Sequence, residues 1–174
     1  MATKALIYIV DDEPLQRELL ADHLGNMPAY EIHSFGTGEE CLAAIKVRIP
    51  TIVFLDYYLN SQMKDAMDGT DVLQEIKKIS PLIEVVMISG QDKIEVAVNS
   101  MKYGAFDYIV KGEGAFVRAE KTVFNIYRFH KLTGTASRYR TLMLFFGLGM
   151  ILMVILVIYL QTNGYIRSAP SFSY

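Results

Sequence analysis

Residues 5–14 read ALIYIVDDEP, passing in one step from six apolar residues to three consecutive acids and a proline. An apolar run of this length, rich in β-favouring residues and cut off abruptly, predicts a strand buried on both faces. Pro14 suits the first turn of a helix, where its missing N–H costs nothing. Leu15, Leu19, Leu20 and Leu24 then recur at helical spacing as an expected inward face, and Gly25-Asn26 closes that helix. A buried strand, an acidic loop and a helix follow one another within about two dozen residues.

The same sentence repeats down the chain. A short strand is predicted around Tyr30–Ser34, and Thr37-Gly38-Glu39-Glu40 opens a second helix with Leu42, Ile45 and Ile49 on one face and Pro50 as its stop. Ile52-Val53-Phe54-Leu55 is a wholly apolar strand that delivers Asp56 at its end, followed after a polar loop by a helix from Thr70 to Ile79. Val85-Val86-Met87-Ile88 leads to Ser89-Gly90 and a helix from Lys93 to Tyr103. Tyr108-Ile109-Val110 leads to Lys111 and a helix from Phe116 to His130. Five strands, mostly apolar runs, alternating with five helices imply an α/β fold, a doubly wound five-stranded parallel sheet covered on both faces. Ligands of such sheets bind beyond the carboxyl ends of the strands, at the topological switch point. Asp11, Asp12, Asp56, Ser89 and Lys111 all fall at those ends.

Three carboxylates gathered at one edge repel, and a divalent cation is the usual relief. Ligands that are all oxygen favour Mg2+, which accepts few protein ligands and keeps its waters. A metal beside a lysine and a hydroxyl is prepared for a phosphoryl group. Gly36-Thr37-Gly38 is a lone GxG and reads as a strand-to-helix turn rather than a phosphate cradle, so one carboxylate is itself a candidate acceptor. Taken singly, each residue has a plainer reading. Asp11 or Asp12 serves equally as a helix cap, Asp56 as a turn residue, Ser89-Gly90 as a turn pair, Lys111 as a solvated lysine and Tyr108 as an edge residue.

Taken in order, the acidic pair, Asp56, Ser89, Lys111 and the stretch AVNSMKYGAFDYIVK (residues 97–111) resemble the receiver domain of two-component response regulators, over about residues 4–130. The resemblance implies a flavodoxin-like receiver with Asp56 as phosphoacceptor. It implies Mg2+ held by Asp11, Asp12, Asp56 and the backbone carbonyl of Tyr58, and a phosphoryl group contacted by Ser89 and Lys111. Ser89 and Tyr108 would form the switch, Tyr108 turning from exposed to buried. The implied partner is a sensor histidine kinase or phosphotransfer protein, and the domain promotes its own phosphorylation and dephosphorylation without a separate catalytic output domain. A phosphorylation-independent adaptor using the fold for binding is the alternative.

The chain departs from the family pattern twice. Gly112 follows Lys111 where the family has a proline. The segment from Asp56 to Gly69, YYLNSQMKDAMDG after the acid, is about five residues longer than usual, the extra Ser61–Asp65 being either a partner determinant or a tolerated insertion. Tyr58 is bulky where a hydrolytic water must approach, which predicts slow self-dephosphorylation. A phosphoryl half-life of only seconds without a phosphatase would count against that reading.

From Thr141 to Leu160 the sequence TLMLFFGLGMILMVILVIYL carries no charge. As a helix it reaches roughly 30 Å, the thickness of a bilayer's hydrocarbon core. The expected organisation is a receiver over 1–130, a basic linker over 131–140, a transmembrane helix over 141–160 and a short non-cytoplasmic tail over 161–174. ALIYIV is too short for the apolar core of a signal peptide. Arg128, Lys131, Arg138 and Arg140 precede the apolar run and only Arg167 follows it, so the receiver is expected in the cytoplasm of a single-pass inner-membrane protein. All Asp and Glu lie at or before Glu120, an acidic balance that argues against nucleic acid as a partner. The lipid bilayer, a membrane-associated downstream protein and a homodimer through the fourth-helix to fifth-helix face are the remaining expected partners. Cys41 stands alone, and His23, His33 and His130 lack metal-ligand spacing.

Overall fold

The computed structural model describes residues 5–27, 29–59 and 67–163, and for 131–142 and 144 the backbone alone. Its elements run β1 (Ala5–Val10), α1 (Pro14–Gly25), β2 (Tyr30–Phe35), α2 (Gly38–Val47), β3 (Ile52–Asp56), α3 (Gly69–Ile79), β4 (Glu84–Ser89), α4 (Ile94–Lys102), β5 (Asp107–Val110) and α5 (Ala115–Thr162). All four strand pairings are parallel, in the order β2-β1-β3-β4-β5. The chain moves outward from β1 to β2 and then returns to β3 on β1's other side, so the switch point lies between β1 and β3. The Ser61–Asp65 insertion and the tail beyond residue 163 lie outside the described residues.

The central strands β1, β3 and β4 are almost wholly apolar because both sheet faces are covered there, whereas the edge strand β2 (YEIHSF) has no buried residue. Alternate side chains supply two separate cores. Tyr8, Val10, Val53, Leu55, Val85 and Met87 pack with Cys41 and Ile45 of α2 and Val72, Leu73 and Ile76 of α3. Ile7, Ile9, Phe54, Val86, Ile88 and Ile109 pack with Leu20 and Leu24 of α1 and Ala119, Val123 and Ile126 of α5. Burial in the first core pushes the Cys41 thiol up to about 12, so it stays a neutral packing group.

The expected helix faces are corrected in detail. Leu20 and Leu24 are buried, but Leu15 is 62% exposed and Leu19 is exposed as well. Four leucines over ten residues span more than one helical stripe, and the sheet covers only the side holding the last two. Ile49 lies beyond the end of α2 and is exposed, leaving Cys41 and Ile45 as that helix's fully buried side chains. Caps match their residue types: Thr37 accepts from the N–H of Glu40, and Asp68 accepts from that of Asp71.

Contacts divide the chain into two units, Met1–Ile126 and Tyr127–Tyr174. Residues 131–140, read from their polar composition as a linker, are helical and belong to α5. No proline occurs in α5, and its one glycine in that stretch, Gly134, costs only about 1 kcal/mol relative to alanine. In the second unit, Phe145–Thr162 is long and apolar enough to cross a membrane, and none of that window is buried.

On β2, Glu31 accepts two bonds from the Arg48 guanidinium, at 2.5 and 2.8 Å, and contacts the His33 ring at 3.0 Å. Arg48, and then His33, hold the Glu31 carboxyl down to about 2. A carboxyl depressed in this way stabilises the fold above its ordinary 4.5 and loses that contribution as pH falls towards 2. Glu31→Gln is therefore expected to flatten the acid limb of the thermal-stability profile in that window. The group is solvent-exposed and the effect small; acid limbs of equal slope in the two proteins would show that the pair does not act on folding.

Candidate functional site

The carboxyl ends of β1, β3, β4 and β5 converge on one edge. Asp11 follows β1 and is pinned there by its own backbone, its N–H donating to the Phe35 carbonyl at 3.2 Å. One Asp11 oxygen accepts from the N–H of Glu13 at 2.9 Å, which turns the chain into α1. Asp56 closes β3, and the next N–H, that of Tyr57, donates to Ile88 of β4 at 2.8 Å. The N–H of Lys111 donates to the Ser89 carbonyl at 2.7 Å, fixing the end of β5 beside that of β4. Each side chain is thus aimed by a strand, the most rigid support the fold offers.

Asp11 and Asp56 are 6% and 4% exposed, and the Lys111 ammonium donates to both, at 2.8 Å in each case. Burial raises the Asp56 carboxyl above its ordinary value, and the Lys111 hydrogen bond offsets part of the rise. Burial opposes the Lys111 charge too, but the bonds to Asp11 and Asp56 outweigh it and the net direction is upward. One carboxylate oxygen from each of Asp11, Asp12 and Asp56 lies within 4.8 Å of the other two. Three carboxylates gather beside one ammonium, and all the donors are hard oxygens. That set fits Mg2+, with Asp11, Asp12 and Asp56 as the residues to hold it. The Tyr58 N–H donates to Asp56 at 3.3 Å, which places Tyr58's backbone beside the carboxylate.

Ser89 is fully buried, and its hydroxyl accepts from the N–H of Gln91 at 3.2 Å. Tyr108, expected on the outside, is already half-buried, its hydroxyl donating to the Gln91 carbonyl at 2.8 Å. Burial raises the Tyr108 phenol, with Ser89 acting in the opposite sense. The β4–α4 loop therefore receives both switch residues at Gln91. Nothing in the sequence marked Gln91, because it contributes backbone atoms. The sequence pattern does not single out Arg17 either, whose guanidinium donates to the Asp11 carbonyl at 2.5 Å.

Two glycines shape the edge. Gly112 has φ +155°, a conformation closed to proline, and the described residues contain no cis peptide, so Lys111 is presented on a trans bond. Gly69 starts α3 against the acceptor's own backbone: a Cβ there would lie 2.2 Å from the Asp56 carbonyl oxygen and 2.7 Å from the Tyr57 Cα. Backbone cannot step aside as a flexible side chain can. Gly69→Ala is expected to cost about 1–3 kcal/mol in urea unfolding and to displace Asp56. An unchanged unfolding midpoint would show that the β3–α3 junction is looser than the geometry says.

The sequence pattern of the response regulator receiver domain matches residues 7–116. Nitrogen assimilation regulatory protein NtrX of Azorhizobium caulinodans is 40% identical over 105 residues, which are 60% of this chain and 22% of that protein. The protein-glutamate methylesterase/protein-glutamine glutaminase of Bacillus subtilis is 33% identical over 114 residues, 63% of this chain and 30% of that one. Among solved structures, the receiver domain of NtrX from Brucella abortus is 38% identical with a TM-score of 0.60, covering 70% of this chain and 95% of that domain. A CheY-like receiver from Methanospirillum hungatei is 26% identical with a TM-score of 0.64, over 74% and 98%. The chain belongs to the response regulator receiver family. It spans about a fifth of the length of the NtrX it matches, the shared part being the receiver. Receiver domains interact with histidine kinases or phosphotransfer proteins and bind Mg2+ at an acidic pocket, and Asp11, Asp12 and Asp56 form such a pocket.

Proposed function

We propose that this chain is a membrane-tethered receiver that accepts a phosphoryl group on Asp56. The observation that carries the reading is the Lys111 ammonium bridging Asp11 and Asp56 at the switch point, with Asp12 beside them. In the transfer, an Asp56 carboxylate oxygen forms a bond to phosphorus while the P–N bond of a phosphohistidine breaks, and the electron pair returns to the imidazole. Mg2+, when bound, supplies charge neutralisation for the incoming phosphoryl oxygens. Lys111 leaves its bond with Asp56 to pair with a phosphoryl oxygen, and the Ser89 hydroxyl donates to another. Drawing Ser89 inward pulls on the loop that also holds Tyr108, and so reaches the surface of α4, β5 and α5.

The tether reading rests on Phe145–Thr162 and on the basic residues that precede it. By charge bias the receiver lies in the cytoplasm, the helix spans the inner membrane once, and the tail lies beyond it. The output is then protein contact near the bilayer, or a phosphoryl relay or sink, at the raised effective concentration that confinement provides. The testing experiment incubates the full chain in detergent with Mg2+ and a small phosphodonor and reads its intact mass. A gain of one phosphoryl group supports the reading. No gain, with no Mg2+-induced change in stability, turns it towards a phosphorylation-independent adaptor.

A further inference from the structure

Nothing in the phosphoryl transfer uses Arg17. It stands in the first turn of α1, where its N–H donates to the Glu13 carbonyl at 3.1 Å, and its side chain folds back out of the helix towards the end of β1. There the guanidinium donates to the Asp11 carbonyl, 2.5 Å away. A Cβ at Gly36 would lie 3.7 Å from the same guanidinium nitrogen, so the group is backed by the turn between β2 and α2. Arginines on helix surfaces ordinarily pair with an acid three or four residues away. This one instead holds a main-chain oxygen beside the acidic pocket.

The residue that this bond governs is Asp12. Asp11 is secured at every polar group: its N–H by Phe35, its carboxylate by Lys111 and the Glu13 N–H, its carbonyl by Arg17. A peptide unit is planar, so a fixed Asp11 carbonyl also fixes the direction of the Asp12 N–H. On the other side of Asp12, the Glu13 N–H is fixed by the Asp11 carboxylate at 2.9 Å. Asp12 is thus strung between two tied peptides, and a carboxylate oxygen of its side chain lies within 4.8 Å of those from Asp11 and Asp56. It is the least buried of the three acids, so packing does least to aim it.

The two properties of Arg17 act on a metal in opposite directions. Mg2+ demands near-ideal octahedral geometry, whereas Ca2+ accepts irregular sets of oxygens. Loosening Asp12 therefore weakens Mg2+ more than Ca2+. The guanidinium charge, by contrast, repels either ion, so its removal alone strengthens both.

We propose that Arg17 is a positioning residue of the metal pocket: by holding the Asp11 carbonyl it fixes the Asp11–Asp12 turn and aims the Asp12 carboxylate at the Mg2+ position. The inference rests on the reading of Asp11, Asp12 and Asp56 as a Mg2+ site, and it gives that site a preference for the smaller ion.

The test titrates Mg2+ and, separately, Ca2+ into the full chain in detergent by calorimetry, for the parent, Arg17→Met and Arg17→Lys. Methionine keeps the apolar stem without a donor, and lysine keeps a donor of nearly the same reach. Arg17 is half-buried and belongs to neither core, so both variants should fold, which urea unfolding in chelator checks. Residues that hold a metal's ligands in place are worth about 10–100-fold in affinity. Arg17→Met is expected to bind Mg2+ about tenfold more weakly and Ca2+ less than about threefold more weakly, with Arg17→Lys within about threefold of the parent for both. Equal losses for the two ions would mean a general loosening and overturn the positioning role. Tighter binding of both by Arg17→Met would leave Arg17 as a charge alone. Arg17→Lys as weak as Arg17→Met would remove the bond to the carbonyl as the cause. A parent that takes up no Mg2+ sinks the metal pocket itself; a parent that binds, with variants that match it, sinks only the role of Arg17.

Discussion

Lys111→Met is expected to lose about 3 kcal/mol of folding stability in Mg2+-free buffer and to regain most of it when Mg2+ is added. The ammonium is the shared partner of Asp11 and Asp56, whose side chains are 8% and 5% exposed. Methionine keeps the length and the apolar stem but leaves two buried carboxylates facing one another. Removing one member of a buried ion pair costs about 3–5 kcal/mol, and the lower figure applies because Lys111 is itself 21% exposed. The raised value of Lys111 means that its contribution is complete below the ordinary lysine value of 10.5 and fades only as pH rises beyond it. At neutral pH the whole effect should therefore be seen. Mg2+ supplies the charge that methionine lacks, so the variant should be stabilised by the ion more than the parent is. Urea unfolding with and without Mg2+ measures both terms. A variant as stable as the parent in chelator would show that solvent, not Lys111, compensates the acids.

Asp56→Asn is expected to abolish phosphoryl gain from a small donor while leaving the protein folded. The amide nearly matches the carboxylate in shape, but it cannot carry the negative charge that attacks phosphorus. Its effect on stability should be slight, because Lys111 retains Asp11 and one buried charge has been removed where burial was already disfavouring it. Intact mass reports the first outcome and thermal unfolding the second. Labelling that persists in the variant would place the acceptor on another residue and dissolve the proposed role of Asp56.

The strands were legible because burial on both faces writes itself as unbroken apolar runs, as at Ile52–Leu55. The residues at strand ends were legible for the same reason: Asp11, Asp56, Ser89 and Lys111 interrupt apolar runs at the one place where a parallel sheet can use them. Amphipathic surfaces were harder. Leu15 and Leu19 carry the same letters as Leu20 and Leu24, and only the sheet's position tells which pair it covers. The receiver resemblance implies a Tyr108 that starts exposed; the Gln91 carbonyl that holds its hydroxyl half-buried has no trace in the residue type. The polar stretch 131–140 gave no apolar period to read, so its helix was missed. Gly69 could be named from the family pattern, but the contact that requires glycine is with the backbone of Asp56 and Tyr57, which no spacing rule contains.

The long segment after Asp56 begins and ends on a closed base, where the Gly69 N–H donates to the Tyr57 carbonyl at 3.0 Å. A loop whose stems are already tied together transmits little of its own length to the domain it leaves. Doubling such a loop adds only about 0.6 kcal/mol of closure entropy. The segment is therefore a natural insertion port. An epitope, a dye-binding peptide or a protease site grafted between Leu59 and Met67, which pack in the first core, would be tethered a few residues from the acceptor carboxylate. A receiver carrying such a graft would become a reporter of its own modification, read out at the site where the modification occurs.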